Sequence, residues 1–384
     1  MKIIQTLSVI LLLLASELFA QLPQGRRVRI TLSPTYQSWN LEFDAAAAGG
    51  VTQTDIDFSE FSFPLTIYVP VGRSLGLSIR SSQASADSDQ LESISSIADT
   101  QLGLSYLLSR ANIILNANIN LPTGKTELSS DEFETTSLIG NNIFSLRIPN
   151  FGRGTNVSAV FTWAYPATEK LVLGLGASYQ LRGSFRPLAD LLEDYDPGDE
   201  ILLTAGFDAR LGATASLSTD VIFTLFGTDK VGDEDVFASG SRIVVTTQLR
   251  KHIGFDEFRL LARYRTKAKN EQALILGQPL AEEVDNSFGN QIEILANYRR
   301  RFSRKFYGKV LIDGRFYQEA AGFRTFATTP GSAGITLLGF GIGPELIVSR
   351  RVTVPITLKY FMGSFDNGPD VTGFEAGIGL QLSY

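Results

Sequence analysis

Polar and apolar residues alternate with a period of two along most of this chain. The C-terminal segment shows it best. Thr372, Phe374, Ala376, Ile378, Leu380, Leu382 and Tyr384 share one face, and Gly373, Glu375, Gly377, Gly379, Gln381 and Ser383 the other. Val352, Val354, Ile356, Leu358 and Tyr360 make a second such face, and Leu171, Leu173, Leu175, Ala177, Tyr179 and Leu181 a third. Asn112, Asn116, Asn118 and Asn120 stand opposite the apolar face of Ile113 to Leu121. Strands put successive side chains on opposite faces, so each apolar face must meet either a core or lipid.

About sixteen such segments can be marked, starting near residues 27, 58, 74, 96, 111, 155, 170, 200, 212, 241, 256, 288, 305, 335, 351 and 371. Fourteen is the alternative count, because the first two contain Pro34 and Pro64. The connections alternate in length. Gly72-Arg73, Ser109-Arg110, Ala167-Thr168, Leu211-Gly212, His252-Ile253, Ser303-Arg304 and Ser349-Arg350 mark tight turns, and spans such as 122–154, 183–199, 227–240 and 268–287 are long. Short turns at one end and long loops at the other are the asymmetry of an outer-membrane barrel. The expected fold is therefore all-β: a single antiparallel transmembrane barrel in the bacterial outer membrane.

A soluble sandwich also alternates. Its polar faces, however, would not carry rows of Arg, Glu and Asn, as a wet lumen does. Aromatics also cluster at two depths. Tyr106, Trp163, Tyr165, Tyr298, Phe302 and Tyr384 lie beside the short turns, and Tyr36, Tyr179, Tyr264 and Tyr360 lie at the opposite ends. Membrane interfaces select such girdles. Backbone groups in lipid must pair internally, which requires closure.

Residues 1–20 read as a signal peptide, with Lys2, an apolar run from Leu7 to Ala15, and cleavage after Ala20. The barrel then occupies 21–384, with no room for an N-terminal plug. The chain has no Cys and one His, and its formal net charge is −6. That excludes disulfides and thiolate metal sites, and argues against a nucleic-acid partner, which needs a basic footprint. His252, in a predicted turn, leaves no base for acyl hydrolysis, so an enzyme is not expected. The acidic clusters of Glu193 to Glu200 and Asp229 to Asp235 lack calcium-loop spacing and read as solvated surface. No metal or cofactor is expected.

The terminal strand ending in Tyr384 resembles the C-terminal signature of bacterial outer-membrane proteins, which implies delivery to the barrel-assembly machinery. Asn120-Leu121-Pro122-Thr123-Gly124-Lys125 is similar to the LPTGK segment of a group of outer-membrane transporters associated with aromatic-compound degradation. That group is related in style to the long-chain fatty-acid channels. Gly152-Arg153-Gly154-Thr155 and Tyr195-Asp196-Pro197-Gly198-Asp199-Glu200 fit the same style. The resemblance implies a transporter of apolar or aromatic small molecules.

Three neighbouring segments carry charge on the lumen face. Arg259, Arg263, Arg265 and Lys267 come from one, and Glu293, Arg299 and Arg301 from the next. Lys305, Lys309, Asp313, Arg315 and Glu319 come from the third. A turn at Ser303-Arg304 places Glu293 opposite Arg315, a pair that can neutralise itself. It also places Arg299 opposite Lys309, which cannot. Either the wall is an ion-pair network, or it is a cationic surface that selects anions. Pro34, Pro64, Pro344 and Pro355 fall in segments that closure brings together, alongside inward glycines Gly339, Gly341, Gly343, Gly373, Gly377 and Gly379. They mark either ordinary bulges or a seam where an apolar solute could leave sideways. The expected function is passage of small solutes, apolar or anionic. The alternative is a structural or adhesive barrel using its long loops. Residues 122–154 should lie outside, or fold inward from the outer mouth as a lid.

Overall fold

The structure, a computed structural model, describes residues 27–43, 55–320, 333–366 and 368–384. The proposed signal peptide lies outside the described residues. Sixteen antiparallel strands close into one barrel. β1 runs Arg29–Leu32 and continues as Thr35–Glu42. β2 is Ile56–Val71 and β3 Leu75–Ser88. β4 runs Ile94–Ile97 and continues as Thr100–Leu108. β5 is Ile113–Leu121, β6 Asn156–Pro166, β7 Leu171–Arg182, β8 Glu200–Arg210 and β9 Ala215–Phe226. β10 is Arg242–Ile253, β11 Asp256–Lys267, β12 Gln291–Arg301 and β13 Phe306–Tyr317. β14 runs Ile335–Ile342 and continues as Glu345–Ser349, and β15 is Val352–Phe365. β16 runs Asp370–Ile378 and continues as Leu380–Ser383. β1 pairs with both β2 and β16, so no edge is left open.

The barrel is inside out relative to a soluble protein. Leu175 is 51 % exposed on the outer wall, with Leu173, Tyr179 and Leu181 beside it. Phe161, Ile201, Leu203, Ile312 and Phe340 continue the outer belt. Apolar side chains on a closed antiparallel wall are stable only where lipid covers them. Trp163, Tyr165, Tyr106, Phe302 and Tyr384 are exposed beside the short turns, as an interfacial girdle requires.

Short turns close the periplasmic end, where Gly72 and Gly254 hold φ of +73° and +64°. That left-handed backbone suits glycine. The long loops build a second, five-stranded sheet over the outer mouth from Tyr195–Asp196, Thr228–Val231, Glu234–Ala238, Glu271–Gln272 and Ala281–Glu282. It absorbs part of the acidic clusters that the sequence suggested were merely solvated. Asp229 accepts from the Tyr195 hydroxyl and from Gly198 N at 2.7 Å, and Asp199 accepts from Arg182 N at 3.0 Å. Burial raises the Asp229 carboxyl above the usual range. Burial, then the Asp229 charge, raises the Tyr195 hydroxyl, which therefore stays a donor.

Candidate functional site: an inward loop on a charged wall

The span between β5 and β6 enters the barrel. Its two ends are clamped by Asp99, which sits in a bulge of β4 where one extra residue lies between the pairs Gln83↔Ile97 and Arg80↔Gln101. Asp99 Oδ1 accepts from Gly124 N at 3.0 Å, and Oδ2 accepts from Arg153 N at 2.7 Å. Asp99 N donates to Phe151 O at 3.1 Å. The Leu121-to-Lys125 motif works as the other half of this clamp. Thr123 Oγ1 bonds Ala98 O and Thr100, and Gly124 lies so close to Phe151 O that an added Cβ would stand 1.8 Å from it. Lys125 pairs with Glu132, which also closes the capping box on Ser129 at the start of helix α1, Ser130–Ile139.

Beyond α1 the chain crosses to the wall formed by β1, β2 and β13 to β16. Ile143, Phe144 and Leu146 are buried there in one apolar cluster with Trp39, Phe58, Leu337 and Phe361, and Phe151, at the clamp, is buried in the same cluster. The Phe144 ring centroid is 4.8 Å from Phe58 and 5.2 Å from Trp39. At about 1.5–3 kcal/mol per buried side chain, these four side chains hold the loop down by roughly 6–12 kcal/mol before ordering entropy is subtracted. Polar lumen residues complete the seat. Gln37 accepts from Arg147 N at 3.1 Å, and Glu60 accepts from Ile148 N at 3.0 Å. Glu375 pairs with Arg147 at 3.2 Å, and Arg315 donates to Ile143 O. The inward-folding alternative for 122–154 is the observed one.

The charged positions expected on β11, β12 and β13 lie on inward-facing parity, and the expected register holds: Glu293↔Arg315 and Arg299↔Lys309. The ion pairs differ from expectation. Glu293 takes Arg263 at 2.7 Å and Arg265 at 2.9 Å, and accepts from Tyr317 at 2.7 Å. Arg315 turns to Asp313 at 3.1 Å instead. The Arg299–Lys309 pair is bridged by Glu345 of β14, at 2.7 Å and 2.8 Å, which offsets one of its two charges. Similarly Arg259 shares Glu257 with Arg250, the latter at 2.5 Å. Each of these two triads still holds two cations on one carboxylate. Arg301 lies apart at the periplasmic rim, 3.3 Å from Ser303 O. Sequence reasoning missed Glu345, Glu257, Glu60, Glu375 and Gln37. Their signal was present, since each stands on the polar parity of its strand.

The opposite wall is different. Asn116, Asn118, Ser158, Thr162, Ser178, Gln180 and Thr204 point inward from β5 to β8 and stay half-buried, and the inward Asp208 of β8 and Asp220 of β9 are exposed. Their counterparts under the loop are sealed: Trp39 is 1 % exposed, and Gln37, Glu60, Ser62, Phe361 and Glu375 are buried. The loop therefore occupies one side of the lumen, and small polar side chains line the other.

The fold is that of an outer-membrane porin. The chain is similar to the Pseudomonas putida protein OprB, in a structure at high pH, with 10% identity, 96% of each chain covered and a TM-score of 0.51. It is also similar to a triple mutant of the Rhodopseudomonas blastica porin (11% identity, 92% of this chain and 100% of that one, TM-score 0.38). A mutant of TodX, a monoaromatic hydrocarbon channel, gives 8% identity, 94% and 91% coverage and a TM-score of 0.46. No protein-family profile and no curated protein matches the sequence. Together with the lipid-facing belt, this fold places the barrel in the bacterial outer membrane.

The four prolines form one row. Pro64 and Pro355 lie within β2 and β15, whereas Pro34 and Pro344 fall in the interruptions of β1 and β14. They are not bulges. Leu32↔Leu65 and Thr35↔Ser62 keep register across Pro34, as Ile342↔Leu358 and Glu345↔Pro355 do across Pro344. Each proline instead removes one donor from a two-bond rung. The surviving halves are Ser33 N to Pro64 O at 3.1 Å, Ile378 N to Pro34 O at 3.0 Å, Gly379 N to Pro355 O at 2.6 Å and Ile356 N to Pro344 O at 2.8 Å. Nor do all the inward glycines thin the wall. A Cβ on Gly373 would meet the Trp39 ring at 2.3 Å, and one on Gly339 the Phe361 ring at 2.5 Å, so both lie under flat aromatic rings.

Proposed function

We propose that this barrel is a channel for small solutes, with the path between the inward loop and the polar wall of β5 to β9. The observation that carries the reading is the one-sided seating of the loop: inward residues beneath it are sealed, and those across from it keep contact with solvent. The two cation-rich triads at the periplasmic half favour anions among the solutes, because cationic side chains in a confined lumen raise local anion concentration. Asp208 and Asp220 on the facing wall oppose that field and make the preference moderate.

Purified protein in planar bilayers tests the proposal. Wild type should conduct, and shortening residues 141–148 should raise its unitary conductance by opening the occupied side. A folded wild-type barrel that carries no current refutes the channel and leaves the structural or adhesive barrel in its place.

A further inference from the structure

Lys267 ends β11 at the outer mouth, under the five-stranded cap. Only 5 % of it is exposed. Among the described residues, its ammonium has no acceptor within hydrogen-bond distance. The carboxylates nearest in electrostatic terms, Glu283 and Asp229, are committed elsewhere. Glu283 accepts from Asn270 N at 2.9 Å and from Ser287 N at 3.2 Å, and Asp229 accepts from Tyr195 and Gly198 N. Arg242, directly opposite Lys267 on β10, adds a second cation. Thr224, opposite Arg242 on β9, is fully buried and its Oγ1 has no partner among the described residues.

A buried ammonium without an acceptor is costly, and barrels keep such groups where something binds them. Two aromatic rings flank this one. Lys267 Nζ lies 6.0 Å from the Phe226 centroid and 5.8 Å from that of Phe237, at the outer limit of a cation–π contact. The rings are therefore too distant to replace three hydrogen bonds. Both are half-buried, so they present apolar surface beside the charge. Phe226 belongs to the barrel rim and Phe237 to the cap, which places the ammonium between the two.

We propose that Lys267, with Thr224 and the Phe226 and Phe237 rings, forms an entry site for a monocarboxylate carrying a flat apolar body. The carboxylate takes the ammonium and hydroxyl donors, and the body lies along the rings. This deepens the channel reading by naming a solute class, and rests on it for its purpose.

Benzoate is the probe, with benzyl alcohol and inorganic phosphate as its two halves, measured by calorimetry on the purified full chain in detergent. Benzoate should bind, and each control should bind at least about tenfold more weakly. Lys267→Met should weaken benzoate by at least about tenfold and should not lower the melting temperature, because it removes a buried charge without acceptors. Phe237→Ala lies in the cap, outside the barrel wall, so it tests the site even if Lys267→Met fails to fold. It too should weaken benzoate. Failure of wild type to bind benzoate overturns the site, as does unchanged affinity in both variants. Phosphate binding as tight as benzoate overturns the apolar component. A melting temperature lowered by Lys267→Met assigns the lysine to structure and overturns its binding role. Wild-type conductance separates the two readings. Current without benzoate binding refutes this site alone, and benzoate binding without current refutes the channel alone.

Discussion

Replacing Glu345 by Gln leaves Arg299 and Lys309 directly opposite each other with no carboxylate between them. All three side chains are less than a third exposed, at 13 % for Glu345, 26 % for Arg299 and 29 % for Lys309. Breaking such a pair from one side costs several kcal/mol when fully buried. Lumen water and the remaining Arg299 stacking on Tyr307, at 3.6 Å, reduce that to about 1–3 kcal/mol. The barrel should therefore still fold, with a lower urea midpoint and an unchanged heat-modifiable gel mobility. The lumen gains one positive charge. At about 6 Å in water, one charge acts on a passing ion by about 0.7 kcal/mol, which is roughly a threefold change in partition. Reversal potentials across a KCl gradient should move toward anions by a permeability ratio of about threefold, and less at high salt. Glu345→Gln combined with Lys309→Gln restores the wild-type net charge of the triad, so its selectivity should return. If Glu345→Gln conducts with no shift, or shifts toward cations, the triad does not face the permeating ions and the anion reading fails.

Phe144→Ala removes the centre of the loop's apolar seat and should cost about 3–5 kcal/mol of docking. In a Trp163→Phe background the remaining tryptophan, Trp39, should red-shift its emission as water reaches it, and an unshifted spectrum would contradict the packing. Gly124→Ala cannot be accommodated 1.8 Å from Phe151 O without moving the clamp, so residues 141–151 should become protease-sensitive in folded protein. Leu175→Arg on the lipid face should destabilise unfolding transitions by about 2–4 kcal/mol, whereas Ser178→Arg on the lumen face should change them by less than about 1 kcal/mol. Equal costs at the two positions would reverse the assigned faces.

The barrel was legible because lipid outside and water inside impose one rule on every strand. The turn at Ser303-Arg304 then fixed the β12–β13 register, and with it Glu293↔Arg315 and Arg299↔Lys309. Glu345 was not legible in the same way. It reaches that pair through the β13–β14 register, and no tight turn sets it because 319–334 intervenes. The ion-pair choices of Glu293 were also hidden. Three arginines stand within its reach, and packing rather than register decides among them. The seat of the inward loop left a trace that alternation alone misreads. Trp39, Phe58, Leu337 and Phe361 occupy the polar parity of their strands, and four large apolar side chains facing a wet lumen need a cover. The cap was illegible for a different reason. Its strands are two to five residues long, too short to carry a period.

The proline row bears on how this wall can deform. A lateral slit would separate two neighbouring strands along their length and break the whole ladder between them, eleven paired positions in the case of β15 and β16. The prolines do not concentrate their losses in that way. They remove one donor from each of four successive interfaces, β2–β1, β1–β16, β16–β15 and β15–β14, at a single level. At roughly 1 kcal/mol per net hydrogen bond, no interface loses more than a small part of its ladder. What the row weakens is bending across the strands. Above it, Trp39, Phe361, Glu60, Glu375 and Arg315 hold the inward loop, and the cationic triad lies at its level, with Glu345 one residue past Pro344 and Lys309 paired to Gly343 one residue before it. The crease therefore runs below the part that seats the loop and passes at the level of the cationic triad. A tilt of the upper part would move the loop relative to the polar wall across the lumen, and would leave every strand paired.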